Sequence, residues 1–424
     1  MSITRRNDTD EDRFAQISLK GVFNGRVPPR VPRAVVRVSS LDDVLAGVAL
    51  AIREQCGLAV RSGGHSLPVW SLQEDSVLLD LGGWKKVDID LPEGRAMVTP
   101  AVTSKELNDA LAPRGLVSPG AHCPHVGLGG FLLQGGMGWN AQGWGWGSEA
   151  VQAVQAARGA GPAFPAIVIC FQLQARPYTP QGVFSSTYIY PWQCYRPVFE
   201  WALSVSPMVG PDTEIKILSY YPYDRKEICL LAQFITTQET AEHAQGVLRE
   251  IHNTRPPGFL SQSPVQPESL ENLYAIQARI CSPGYRYCSD NGFLKNGIDI
   301  ISVLEKAFLT LPHRRSAAFW TPMAPRSREP LTDMALSIQS DNYFALYAVW
   351  EAEQDDDRCT QWAHGFVQSI SRHCVGSYIG EADPERRRGR FWTDESLHQL
   401  AAVRRRWDPQ GRLSSSAACD LGLD

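Results

Sequence analysis

No stretch of this sequence stays apolar long enough to cross a bilayer. Uninterrupted apolar runs last a few residues, as at Phe131-Leu132-Leu133. A membrane-spanning helix needs about 20, so no membrane role is expected. Cysteine is sparse, ten residues in 424, which excludes a disulfide-stapled scaffold and predicts mostly free thiols. Neither sign of charge dominates: Lys and Arg minus Asp and Glu is 41 − 45 = −4. That excludes a globally basic nucleic-acid binder and gives no pull toward an anionic membrane surface. Internal repeats and low-complexity tracts are missing as well. Residues 1–16 are polar and charged, with no apolar segment, so no secretory signal and a cytoplasmic location are expected.

What remains is an ordinary globular composition. Hydrophobic residues make up 43% and charged residues 20%, enough to bury a core. At roughly 150 residues per domain the length predicts two or three domains.

Two textures divide the chain. Residues 31–176 alternate strand-like runs (33–38, 58–60, 77–81 and 97–102) with amphipathic helices. Ser40 caps a helix with Leu41, Val44, Leu45, Val48 and Ile52 on one face, ended by Gly57. Thr103 and Glu106 form a capping box that opens a second helix, stopped at Gly115. From 178 to 374 the strands are longer and less regular, as over 214–221 and 343–349, among helices such as 239–251. A charged helix over 394–406 closes the chain before Asp408-Pro409. Alternating strands and helices predict an α+β protein.

Three places carry chemistry. Arg61-Ser62-Gly63-Gly64-His65-Ser66 follows a strand. Its paired glycines permit a turn whose successive N–H groups make an anion nest suited to a pyrophosphate. A plain tight turn explains the glycines equally well, but not an imidazole at its tip. Residues 127–147 hold nine of the 35 glycines in the chain, interleaved with Phe131, Leu132, Leu133 and Trp139. Such density builds little core. It suits a backbone surface laid against a flat ligand better than a linker. The segment has neither a Walker nor a strict Rossmann spacing. The third place is Arg158-Gly159-Ala160-Gly161-Pro162, before a strand over 166–173. No metal is expected. His122 and His125 have no further ligands to complete a zinc set, and Cys281 and Cys288 form only an isolated pair.

Together these residues resemble the berberine bridge enzyme-like oxidases, FAD-linked members of the vanillyl-alcohol oxidase/PCMH superfamily. The resemblance rests on the Arg61–Ser66 turn, on Cys123 four residues before Gly127-Leu128-Gly129-Gly130, and on Gly135-Gly136-Met137-Gly138-Trp139. It also rests on residues 158–162 and on the 58-residue separation of His65 and Cys123 (123 − 65). Near the end, Tyr378-Ile379-Gly380-Glu381-Ala382-Asp383 is similar to the family's Tyr-x-Asn-x-x-Asp segment. Phe391-Trp392 and Arg406-Trp407-Asp408-Pro409 are similar to its closing aromatic pair and turn.

The resemblance implies a PCMH-type FAD-binding domain over 31–177, an α+β substrate domain with an antiparallel sheet covered by helices over 178–375, and a segment over 376–424 that returns to the first domain. Residues 1–30 precede them. His65 would be bonded to the flavin 8α-methyl and Cys123 to flavin C6. Arg61, Ser62, Gly63, Gly64, Ser66, Val126, Gly127, Gly130, Gly135, Gly138, Ile167 and Val168 would complete the cofactor site. Tyr378 matches a residue that helps deprotonate the substrate, with Glu381 the competing candidate. The implied activity is hydride transfer from a small alcohol, sugar or alkaloid-like secondary metabolite to covalently held FAD, with dioxygen as final acceptor.

Departures from the family set up the alternatives. Between Gln155 and Ala156 about one strand and one short helix are missing. Ala166 and Ile169 stand where the family has Gly and Thr, and Gly380 where it has Asn. A lost strand would expose sheet edges. These changes point to a degenerate, non-catalytic homologue with impaired FAD binding. A third alternative is a dehydrogenase using another electron acceptor.

Overall fold

The computed structural model describes residues 2–158, 166–331 and 334–412. The turn expected over 159–162 and the chain after Arg412 lie outside them.

The fold is α+β. Its first part holds two four-stranded sheets. Strands β1 (Ser2–Arg5), β2 (Ala34–Arg37), β3 (Gly57–Arg61) and β4 (Ser76–Asp80) assemble in the order β1-β2-β4-β3, the last three parallel. Helix α1 (Glu11–Leu19) lies between β1 and β2 in the chain. Helix α2 (Leu41–Arg53), capped by Ser40, packs against β4. Its buried face corrects the sequence expectation. Val44, Gly47, Leu50 and Ala51 face the sheet, while Leu41, Leu45 and Ile52 are exposed. The cause is close approach: a Cβ on Gly47 would stand 2.2 Å from Leu79 Cδ2. Small residues decide which side of the helix fits against the strand.

The second sheet is antiparallel. It comprises β5 (Val87–Asp90), β6 (Arg95–Val98), β8 (Val151–Arg158) and β9 (Ala166–Gln174), in the order β5-β6-β9-β8. A two-residue strand, β7 (Leu116–Val117), precedes β8 in the chain. Strand β6 ends earlier than the run over 97–102 suggests. The Thr99 hydroxyl accepts from Lys86 N–H and donates to Trp84 O, turning the chain toward the capping box of α3 (Ser104–Leu111). Strand β8 pairs with β9 and forms the sheet edge. Residues 152–156 on it are exposed, Val154 among them. That edge includes the Gln155–Ala156 junction, where an additional segment was expected from the resemblance. Helices α4 (Leu128–Leu133) and α5 (Ala141–Trp144) arise within the glycine-rich stretch.

After the short β10 (Arg176–Pro177) comes one eight-stranded antiparallel sheet, in the order β14-β11-β13-β12-β16-β17-β15-β18. Its strands are β11 (Val183–Pro191), β12 (Thr213–Tyr220), β13 (Cys229–Thr237), β14 (Ser261–Pro267), β15 (Arg286–Leu294), β16 (Ala317–Pro322), β17 (Asn342–Trp350) and β18 (Cys374–Gly376). Alternation gives the sheet two different faces. Ile215, Ile217, Leu230, Ala232 and Phe234 pack under α6 (Tyr195–Val205), α7 (Ala241–Asn253) and neighbouring helices. Leu218, Leu231, Phe319 and Val349 face a cavity. Helix α8 (Leu270–Ile280) follows β14, and Leu273 and Tyr274 anchor it against Trp139. A later helix, α9 (Asp394–Trp407), packs through Leu397 and Leu400 near Trp392, and beyond it Arg412 O accepts from Leu58 N–H of β3. Among the described residues, no helix is long and apolar enough to cross a membrane.

Candidate flavin site

A cavity of about 580 Å³ lies between the glycine turns of the first part and the open face of the large sheet. Strand β3 delivers Arg61 to its wall, but the guanidinium turns away. It is buried against Asp80, 3.0 Å from Oδ2, and braces the turn instead of reaching for a ligand. Gly64 takes φ +70, which only glycine adopts without strain. Gly63 touches Gly127: a Cβ on Gly63 would stand 2.6 Å from Gly127 N. Two backbones therefore meet with no side chain between them. Ser62, Gly63, Gly64, Ser66, Val126, Gly127, Gly130, Gly135 and Gly138 all line the cavity. Val168 lines it too, whereas Ile167 is packed into the core beneath α2 and takes no part in the wall. This glycine-made cradle fits a flat, phosphate-bearing group such as FAD.

His65 lies in the same wall. Its ring stacks on Phe23 with centroids 3.9 Å apart, and Nε2 is 3.3 Å from Cys123 Sγ. The Cys123 thiol is held well below its ordinary pKa, first by a hydrogen bond with the Cys281 thiol and then by His65, against the opposing effect of burial. Cys281 is pushed the other way, so it stays protonated beside a Cys123 inclined to thiolate.

At the far end of the chain, Tyr378 is gripped at both ends. Asn291 holds its backbone through two hydrogen bonds of 2.7 and 2.9 Å. Its hydroxyl oxygen accepts from Gly136 N–H at 3.1 Å and Met137 N–H at 3.3 Å. Burial and the neighbouring Glu381 nevertheless raise the phenol pKa. Glu381 accepts from Tyr343 at 2.6 Å and Tyr347 at 2.7 Å. Withdrawal from solvent raises its carboxyl pKa, opposed by the two hydroxyls and by His65.

Comparison with known proteins supplies the family. An FAD binding domain family matches residues 32–163. "FAD-linked oxidoreductase ptmO" of Penicillium ochrochloron is 35% identical over 412 residues, covering 92% of this chain and 91% of that protein. "FAD-linked oxidoreductase nodO" of Hypoxylon pulicicidum is 31% identical, covering 94% of each. The chain belongs to the FAD-linked oxidoreductases.

The oxidoreductase also shares its fold with solved structures. It aligns with 6-hydroxy-D-nicotine oxidase from Arthrobacter nicotinovorans at a TM-score of 0.81 and 16% identity, covering 97% of this chain and 96% of that one. It aligns with a berberine bridge enzyme-like protein from Arabidopsis thaliana at a TM-score of 0.82 and 14% identity, covering 98% and 97%. The architecture is thus the PCMH-type, berberine bridge enzyme-like fold.

Several residues of the oxidoreductase's cavity escaped the sequence reading. Tyr343 and Tyr347 are four apart on β17, a strand spacing that puts both on one face toward Glu381. Glu214 and Lys216 are two apart on β12, and their side chains pair at 2.7 Å. His122 joins them, its Nε2 2.8 Å from Glu214 Oε1. Burial, aided by Lys216, lowers the His122 pKa and keeps the ring neutral, while Lys216 and His122 hold the Glu214 carboxyl ionised. His125 is exposed. Phe23 and Cys281 reach the site only through the fold, and nothing in their sequence neighbourhood marks them.

Proposed function

We propose that this FAD-linked oxidoreductase is an oxidase of a largely apolar alcohol or amine, with flavin bonded to both His65 and Cys123. One observation carries the reading. An imidazole and a thiol inclined to thiolate, 58 residues apart, stand 3.3 Å from each other in a glycine-lined wall. Retention of both groups speaks against a degenerate homologue. Bound there, FAD supplies the acceptor for the hydride that leaves the substrate carbon. The backbone N–H groups of the Arg61–Ser66 turn and of residues 127–138 would hold its phosphates and ring.

The chain's own groups handle the proton. An alcohol or amine gives up its O–H or N–H proton as hydride leaves the adjacent carbon, so a base must stand within hydrogen-bond reach. Glu381 fits that role. Its raised pKa moves it toward neutral pH, and two tyrosine hydroxyls fix its orientation. Tyr378, its oxygen turned to two backbone donors, positions the substrate beside it. The substrate-side wall is apolar at Leu218, Leu231, Phe319 and Val349, with polar groups such as Lys216 and Gln233 set among them. A largely apolar alcohol or amine suits it, and a role in secondary metabolism accords with that.

Intact mass under denaturing conditions tests the attachment: the wild-type chain is expected to carry the mass of one FAD. His65→Ala and Cys123→Ala should each leave a single bond, and the double variant none. Acid-stable flavin in the double variant would refute the assignment. Oxygen uptake matched by hydrogen peroxide release is expected during turnover. Turnover only with an artificial acceptor would make the protein a dehydrogenase.

A further inference from the structure

The cavity wall holds a second polar group that the proton-handling residues do not use. Gln142 on α5 is 2% exposed, and its amide nitrogen and oxygen both lack a hydrogen-bond partner among the described residues. Both atoms are closed off from solvent, and a buried amide without partners is costly, so a turn of the side chain toward a ligand that supplies one is expected. Helix α5 packs against β12, where Lys216 faces the same cavity. The Lys216 ammonium gives one donor to Glu214 at 2.7 Å and lies 4.6 Å from the Trp139 ring centroid. Its remaining N–H donors are open to a ligand.

The charges here cancel. Glu214 is engaged at both oxygens: Oε1 accepts from His122 and Lys216, and Oε2 accepts from Asn140 N–H at 2.8 Å. One carboxylate and one ammonium therefore form a closed pair, beside an uncharged imidazole. A substrate carboxylate would face Glu214 and an ammonium would face Lys216, each without a counter-charge to spare. A neutral oxygen meets no such penalty. It accepts from Lys216 or from the Gln142 NH₂, and a hydroxyl also donates to the Gln142 carbonyl.

We propose that Gln142 and Lys216 form a subsite for a neutral oxygen function, a hydroxyl or carbonyl, remote from the reacting carbon of an otherwise apolar substrate. The proposal rests on the reading of the cavity as the shared flavin and substrate site, and it adds a determinant of which apolar molecules are accepted.

Two isosteric probes test it on the flavin-loaded protein: benzophenone, which carries one carbonyl, and diphenylmethane, which carries none. Binding is followed through perturbation of the visible flavin band, without turnover. Wild type is expected to favour benzophenone. In Gln142→Leu that preference should fall about tenfold, the worth of one hydrogen bond, with flavin content unchanged. Tighter binding of diphenylmethane by wild type would overturn the subsite without needing any variant. An unchanged preference in Gln142→Leu would overturn it too. Loss of flavin from Gln142→Leu would also overturn it, by showing that the amide serves the cofactor. Failure of the underlying reading is separately visible, because wild type would then show no flavin band before any probe is added.

Discussion

Glu381 illustrates how a single residue's surroundings set its task. A carboxyl at an apolar wall binds its proton more tightly than one in water, and hydrogen bonds from Tyr343 and Tyr347 only partly reverse that. A base must be ionised to act, so turnover is expected to fall as the pH drops through this raised pKa. Glu381→Gln should lower kcat about 10²–10⁴-fold and abolish that acid limb. A variant that kept the limb would shift the role to another group. Tyr347→Phe removes one opposing hydroxyl, so the acid limb should move to higher pH. At this scale much was legible. The turn at Arg61–Ser66, Cys123 and Tyr378 carried enough pattern to be picked out. Arg61 was chosen as part of that turn, and the fold adds what no pattern shows, that its guanidinium is spent on Asp80. Glu214 and Lys216 left a readable trace, two charges at period two in an apolar strand. Cys281 left none, since its meaning comes from a neighbour 158 positions away (281 − 123).

Among elements, caps and strand cores were legible and faces were less so. The cap at Ser40 and the capping box at Thr103 opened their helices as expected. Periodicity placed α2 correctly along the chain and marked Val44 and Val48 rightly, yet Leu41, Leu45 and Ile52 of the expected face are exposed. Hydrophobicity alone did not mark Gly47 and Ala51, which steric fit against β4 places on the buried face beside Val44 and Leu50. Asp43 in the first turn of that helix makes a quantitative case. It accepts at 2.8 Å from both the N–H and the hydroxyl of Ser39. The Ser39 backbone bond leads in lowering its pKa to about 2. With an unfolded value of about 3.9, the sign is fixed: the stabilisation is present above the unfolded pKa and is lost as pH falls through about 2. Asp43→Asn is expected to cost about 1 kcal/mol near neutrality. Thermal unfolding near pH 2 should show wild type and variant converging; an equal gap at both pH values would remove the charge from the account.

In the whole molecule, the parts are joined by a few buried groups that no motif announces. Asn24 is the clearest. Its amide donates to Leu67 O at 2.7 Å and Tyr287 O at 2.9 Å and accepts from Tyr287 N–H at 2.8 Å. The segment before β2 is thereby pinned to β15 of the large sheet. Asn24→Leu strands those partners and is expected to cost about 3 kcal/mol. It should also loosen flavin retention, which a thermal inactivation series with flavin-release readout would measure. Unaltered stability would mean the joint is held elsewhere. Sequence gave no warning of this joint, because an asparagine in a polar neighbourhood acquires its partners only across 263 residues of chain. The ring stacked on His65 belongs to Phe23, the residue just before this pin. A histidine braced in that manner is oriented only after the leading segment has closed onto a sheet built from the middle of the polypeptide. On the attachment proposed here, tethering is therefore a late event in maturation. Acid-fast yellow colour would then count finished molecules and pass over every half-assembled one.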